Sequence, residues 1–255
     1  MFRRIVLASV SAIALTAAAN AADMYVPGAA PAGPGGYKDS VYIYNWSGFY
    51  LGADVGGAWG HVDLKDTTGG VPPGPFSFSA DGVLGGGTLG YNLQRGHFVF
   101  GIEGDMGYMN LSGSTIVASS NPAYHQNVTL DGGAYGDVTG RLGYAFDRTL
   151  LYAKGGFAFY SGEGEQVTTK PGYTSTGTGT FTGWTAGGGI EHFISPAWSV
   201  KAEYMHFDFG TKGGAQTSVS DPPIGYVYKN TFAVTADSAK AGINYHFGAI
   251  YEPLK

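Results

Sequence analysis

Ionisable residues recur at alternate positions inside segments that are otherwise apolar or built from small residues. They are Asp54, Glu103 and Asp105, Asp137 and Arg141, Lys154, Glu191, Lys201 and Glu203, and Lys240. In an extended chain, every second residue shares a face. One such segment sets Phe98, Phe100, Ile102, Met106 and Tyr108 against Val99, Gly101, Glu103, Asp105 and Gly107; another sets Trp198, Val200, Ala202 and Tyr204 against Ser199, Lys201, Glu203 and Met205. Carboxylates and cations gathered on one face can pair through charge-assisted hydrogen bonds. The same groups could instead line an open pore as a selectivity ring.

Other chemistry is poorly supplied. The six histidines, His61, His97, His125, His192, His206 and His246, show no HxxH or HExxH spacing, so no metal site is assigned. Ser119, Ser120 and His125 share one polar stretch, but no nucleophile elbow or paired-carboxylate motif accompanies them. The triplets Gly85-Gly86-Gly87 and Gly187-Gly188-Gly189 sit inside alternating patterns with no helix to follow, so they are not phosphate loops. Neither a catalytic nor a cofactor-binding residue is expected, and the chain does not read as an enzyme.

Eight strand-length segments position the charges: about Phe49 to Trp59, Val83 to Leu93, His97 to Met109, Ala134 to Phe146, Leu150 to Tyr160, Thr182 to Phe193, Trp198 to Phe209 and Ala236 to Phe247. Short connections at 94–96, 147–149 and 194–197 alternate with long Gly/Ser/Thr-rich ones around 60–82, 110–133, 161–181 and 210–235. This rhythm predicts an all-β, eight-stranded antiparallel up-and-down transmembrane barrel, with short periplasmic turns and long extracellular loops. A lipid-facing Arg or Lys near the bilayer midplane costs about 2–4 kcal/mol, so the charges are expected to point inward. A lumen of eight strands is just wide enough for side chains to fill. The ten charged residues are therefore expected to plug it, each with a partner.

Aromatic residues at the strand ends, among them Trp59, Tyr108, Trp184, Trp198, Tyr245 and Phe247, read as two interfacial belts. Arg3 and Arg4, an apolar run from Ile5 to Ala18 and Ala19-Asn20-Ala21 predict a cleaved signal peptide over 1–21. The Pro/Gly/Ala-rich stretch 22–47 predicts a flexible periplasmic lead-in, 48–247 the barrel and 248–255 a C-terminal extension. Cysteine is absent, which excludes disulfides, thiolate metal sites and a lipidated cysteine. Without Arg3 and Arg4, 12 basic residues face 19 acidic ones for a net charge of −7, which argues against a nucleic-acid partner. The 44 glycines among 255 residues far exceed the average share of about 7% and suit crowded barrel walls.

At Asn45-Trp46-Ser47-Gly48-Phe49-Tyr50-Leu51-Gly52-Ala53-Asp54-Val55-Gly56-Gly57 the chain resembles the small opacity-like (porin-family) outer-membrane barrels of alphaproteobacteria, the surface antigen family of rhizobia and brucellae. Gly101-Ile102-Glu103-Gly104-Asp105, Gly140-Arg141-Leu142-Gly143-Tyr144 and Ala241-Gly242-Ile243-Asn244-Tyr245-His246-Phe247 extend the resemblance over nearly all of the expected mature chain. It implies a structural, surface-exposed protein of the Gram-negative outer membrane that supports envelope integrity. Its implied partners are outer-membrane lipid, lipopolysaccharide and the barrel-assembly machinery, which would read Tyr245 and Phe247 as its signal. Some relatives are reported to contact haem or host molecules, although no motif transfers that residue by residue. Rival readings are a narrow porin-like channel for small solutes, a loop-mediated adhesin or haem-binding surface protein, and a soluble lipocalin-like carrier, which the lumenal charges oppose.

Overall fold

A computed structural model describes residues 44–66, 76–118, 125–168, 173–175, 179–218 and 227–247. The expected signal peptide, residues 22–43 of the lead-in and the expected extension 248–255 lie outside these residues. All described residues belong to one compact unit, Tyr42–Pro253.

The strands are β1 (Gly48–Asp66), β2 (Phe76–Arg95), β3 (Phe98–Met109), β4 (Gly113–Ala118), β5 (His125–Phe146), β6 (Thr149–Thr168), β7 (Tyr173–Ser175), β8 (Phe181–Phe193), β9 (Trp198–Ser218) and β10 (Val227–His246). Eight long strands pair antiparallel around a ring in the order β1, β2, β3, β5, β6, β8, β9, β10. The ring closes where β1 pairs with β10, from Tyr50↔His246 to Asp66↔Asn230. Closure leaves no unpaired edge on these eight strands, as a spanning sheet requires in hydrocarbon. The two short strands are additions: β4 pairs with β5 and β7 with β9.

Three tight turns join the strands at one end. Gly96 takes a left-handed φ of 60° between β2 and β3, and Asp147 takes 54° between β5 and β6. Asp tolerates this region better than most residues. At the third turn, Ile194 N donates to Trp198 O at 2.9 Å.

At the other end the strands run far into the stretches expected as loops. β5 is 22 residues long and β9 is 21, whereas crossing a bilayer takes about 9–11. These stretches lose the pattern of apolar residues on the outer face and so read as loops. They remain strands because their alternation continues with the two faces exchanged.

That exchange is visible on β1, β2, β9 and β10. Nearer the tight turns, Phe49, Leu51, Val55, Leu89, Val200 and Ile243 face out while Asp54, Thr88, Lys201 and Lys240 face in. Beyond a level marked by Trp59, Asp237 and His206, the outward residues are His61, Asp63, Ser77, Ser79 and Thr235, and the inward ones are Val62, Phe78, Phe207 and Val234. The first arrangement suits a wall in lipid and the second a wall in water. Register shifts at Asp131/Ala134 on β5 and Ala233/Thr235 on β10 fall close to this level.

Candidate functional site

Strand parity places all ten predicted charged residues inside the barrel. Exposure runs from 0% at Glu191 to 7% at Asp54, while their strand neighbours Ile102 and Val138 are 67% and 65% exposed.

Around the middle of the lumen the charges form two linked groups. Lys154 Nζ donates to Glu103 Oε1 at 2.5 Å and Asp105 Oδ2 at 2.8 Å, and lies 3.0 Å from Glu203 Oε1. Lys240 Nζ lies 3.2 Å from Glu203, 3.3 Å from Asp105 and 3.5 Å from Asp54. Lys201 reaches Thr88 Oγ1 at 3.1 Å and Asp54 Oδ2 at 3.8 Å. The Thr88 hydroxyl, 2.5 Å from Asp105 Oδ1 and 3.2 Å from Asp54 Oδ2, stands between those two carboxylates.

Nearer the tight turns, Arg141 donates to Glu191 and lies 3.7 Å from Glu103. Its guanidinium stacks 3.7 Å from the centre of the Tyr152 ring. Glu191 also accepts from Ser199 Oγ at 2.5 Å and Asn244 Nδ2 at 2.7 Å, with His246 Nε2 at 3.2 Å. These bonds satisfy a carboxylate that has no access to water.

One expectation needs correction. Neither oxygen of Asp137 has a hydrogen-bond partner. Asp137 is paired in register with Asp105, so the inward neighbour across the strand is another carboxylate rather than a cation.

Apolar layers close both sides of the charged zone. Toward the long hairpins lie Val62, Phe78, Leu84, Met109, Leu111, Tyr160, Phe181, Phe207, Phe209 and Val234. Toward the tight turns lie Tyr44, Trp46, Val99, Ala145, Leu150, Tyr152 and Phe193. Tyr44 and Trp46, from the segment expected as a flexible lead-in, therefore belong to the packing. Trp46 is fully buried, its ring 4.2 Å from Phe193 and 5.7 Å from His246, and its backbone N donates to Gln94 Oε1 at 2.8 Å. A Pro/Gly-rich composition does not reveal that a single indole fills the end of a barrel.

Sequence reasoning passed over Tyr50, Thr88, Tyr152, Ser199, Asn244 and His246 as members of the network. Five of them carry a signal, because Tyr50, Tyr152, Ser199, Asn244 and His246 have the inward parity of the charged residues on their own strands; β2, which carries Thr88, has no predicted lumenal charge to set its parity. The two predicted assembly residues lie outside the lumen: Tyr245 and Phe247 stand 5.0 Å apart, and Phe247 is 62% exposed. Among the described residues the histidines form no metal cluster. The grouped carboxylates Glu103, Asp105 and Glu203 share Lys154.

A family model described as "Outer membrane protein beta-barrel domain" matches residues 5–247. A 31 kDa outer-membrane immunogenic protein of Brucella melitensis is 28% identical over 96% of this chain and 100% of its own length. A 22 kDa outer membrane protein of Rhizobium leguminosarum bv. viciae is 32% identical over 66% of each chain. The solved outer membrane protein OprG from Pseudomonas aeruginosa is similar with a TM-score of 0.47 at 9% identity, covering 80% of this chain and 98% of that one.

Proposed function

Because this chain belongs to the outer-membrane protein β-barrel family, with an outer-membrane immunogenic protein of Brucella and an outer membrane protein of Rhizobium among its relatives, we propose that it is a sealed structural barrel of the outer membrane. It supports the envelope and carries its long hairpins on the cell surface, without catalysing a reaction. The tight turns and Trp46 face the periplasm. Its outer wall contacts membrane lipid and lipopolysaccharide, and the barrel-assembly machinery inserts it.

The observation that carries this reading is the burial of every lumenal charge between two apolar layers. Ions crossing the barrel would have to displace Lys154 from three carboxylates and then pass Phe207 and Phe209, whose rings stack 5.5 Å apart. Breaking a buried ion pair costs about 3–5 kcal/mol, so transient opening of the charged layer alone is rare. The hairpins beyond the polarity exchange present hydrophilic outward faces suited to water, and the name of the Brucella relative, an immunogenic protein, accords with surface presentation.

The test is conductance of the purified full chain in a planar bilayer, with heat-modifiable gel mobility to establish that it is folded. A folded chain that produces no stepwise conductance is expected. Large, regular steps from the folded form would replace this reading with a channel.

A further inference from the structure

The level at which the outer wall changes from apolar to polar carries a carboxylate set among aromatic rings. Asp237 on β10 is paired across the strands with Trp59 on β1 and with His206 on β9. Tyr204 Oη donates to Asp237 Oδ1 at 2.6 Å, and His206 Nδ1 donates to the same oxygen at 2.8 Å. The Trp59 ring lies 6.3 Å from that of Tyr204, and the Trp184 ring 5.5 Å from that of His206. Five side chains from β1, β8, β9 and β10 thus meet on one outward patch. It is open, since Trp59, Tyr204 and Trp184 are 41%, 48% and 51% exposed.

An interfacial belt explains the rings but not the carboxylate. Tyr108, another outward tyrosine toward the long hairpins, donates to the backbone oxygen of Gly132 at 3.0 Å, a bond that involves no charge. At Asp237 both donors end on Oδ1, which leaves Oδ2 able to accept from a ligand. The neighbourhood is electronegative. Trp59 is also paired with Asp81, and Trp184 with Asp208, while the first outward lysine along β1 beyond Trp59 is Lys65.

A carboxylate beside electron-rich rings suits an ammonium group, which gains a charge-assisted hydrogen bond and cation–π attraction together. A calcium ion fits poorly, because it takes about six to eight oxygen ligands. Among the described residues, the acids of this patch form no group whose ligand atoms could share one. His206 commits Nδ1 to Asp237 and keeps Nε2, which can meet a phosphate next to the ammonium. Toward the tight turns the outward residues include Ala186, Ala202, Ala239 and Ala241, whereas Phe100 and Ile102 stand out from β3. The wall below the patch is therefore low in relief and leaves room for acyl chains.

We infer that this face binds one lipid whose headgroup carries an ammonium beside its phosphate, with the ammonium on Asp237 next to Trp59 and Tyr204 and the phosphate at His206. Its chains lie along the alanine-lined wall. The inference rests on the reading of that wall as lipid-facing and adds which headgroup it selects; the lumen plays no part.

The experiment folds the full chain in detergent with chelator present and adds phosphatidylethanolamine and phosphatidylglycerol of identical acyl chains in equal amounts. Native mass spectrometry counts the retained lipid, and heat-modifiable mobility establishes that each chain is folded. About one phosphatidylethanolamine per chain is expected, retained about tenfold over phosphatidylglycerol. Asp237→Asn keeps the shape and removes the charge, so it should bring the two lipids within about twofold of each other. Asp63→Asn, which alters an exposed acid farther along β1, should keep the native preference.

A folded native chain that retains both lipids equally would overturn the inference. An Asp237→Asn chain that keeps the preference would overturn it too, since the lipid would then sit elsewhere. So would loss of the preference in Asp63→Asn, as a general effect of surface charge. Conductance of the same sample decides the sealed barrel separately: a conducting chain that still selects phosphatidylethanolamine through Asp237 would bring down that reading alone.

Discussion

Tyr50 and Glu103 are 53 residues apart and meet inside the barrel, the phenol donating to Glu103 Oε2 at 2.6 Å. Their strands β1 and β3 are not neighbours, since β2 lies between them. The bond therefore ties together parts of the wall that no backbone ladder joins directly. Arg141 Nη1 donates to the same phenol oxygen at 3.2 Å, so Tyr50 links the two charged groups of the lumen. Tyr50→Phe leaves the ring in place and should cost about 1–3 kcal/mol, the cost of a missing partner for a buried charged group. Urea unfolding of the detergent-folded barrel measures it; no change in midpoint would show that the bond contributes nothing.

Arg141 should be far more sensitive alone than together with its partner. Replacing it by Met leaves Glu191 facing only His246, Ser199 and Asn244, and one buried charge without compensation costs about 3–5 kcal/mol. Arg141→Met combined with Glu191→Gln removes both charges and should recover a large part of the loss. A double-mutant cycle by unfolding midpoint decides, and a double variant no more stable than the single one would contradict ion pairing as the cause.

The exchange of face polarity sets where the wall tolerates charge. Ile102 lies outward in the apolar zone, and a lysine there should cost about 2–4 kcal/mol in a bilayer. His61 also points outward but lies beyond Trp59, so His61→Lys should stay within about 0.5 kcal/mol of the native chain. Folding equilibria in lipid vesicles test the pair. Equal costs at both positions would put the membrane boundary elsewhere.

Most of the barrel was legible because its cause is periodic. A charge at Glu103 between Ile102 and Gly104 reveals strand, face and medium at once, and parity alone carried Asp54, Lys154 and Lys201 into the lumen. The outer halves of β1, β2, β9 and β10 resemble loops in sequence because their outward residues are polar, the reverse of the apolar-outward alternation of a wall in lipid. Val62 and Phe78 belong to the opposite kind, with His61 and Ser79 outward. Trp46 was illegible for another reason: its burial depends on a cavity closed by Phe193 and His246, far away in sequence, and no local pattern records that. The isolation of Asp137 is likewise a matter of which strand lies next to β5.

Trp46 should behave as a core residue although it precedes the first strand. Trp46→Ala empties a site bounded by Phe193 and His246, and large-to-small changes of this size cost about 3–5 kcal/mol. Trp46→Phe, which keeps most of the volume, should lose less. Heat-modifiable mobility against temperature ranks the three chains, and an alanine variant that matches the native one would show that the segment does not hold the barrel end.

Phe247 offers a way to separate assembly from stability. Its backbone N donates to Phe49 O at 2.9 Å, a bond that Phe247→Ala retains, and its ring is largely exposed, packing edge-on to Tyr245. Losing that ring should leave the unfolding midpoint within about 0.5 kcal/mol of native, as for other exposed positions. If the assembly machinery reads Tyr245 and Phe247, the same variant should reach the outer membrane more slowly in cells. Phe98, at the start of β3 and 54% exposed, is the matched control. Pulse-chase measurement of heat-modifiable protein in the outer-membrane fraction should show Phe247→Ala delayed and Phe98→Ala normal. Equal rates for the two would mean that the strand end carries no special signal and that assembly depends on the closed seam of β1 and β10 instead.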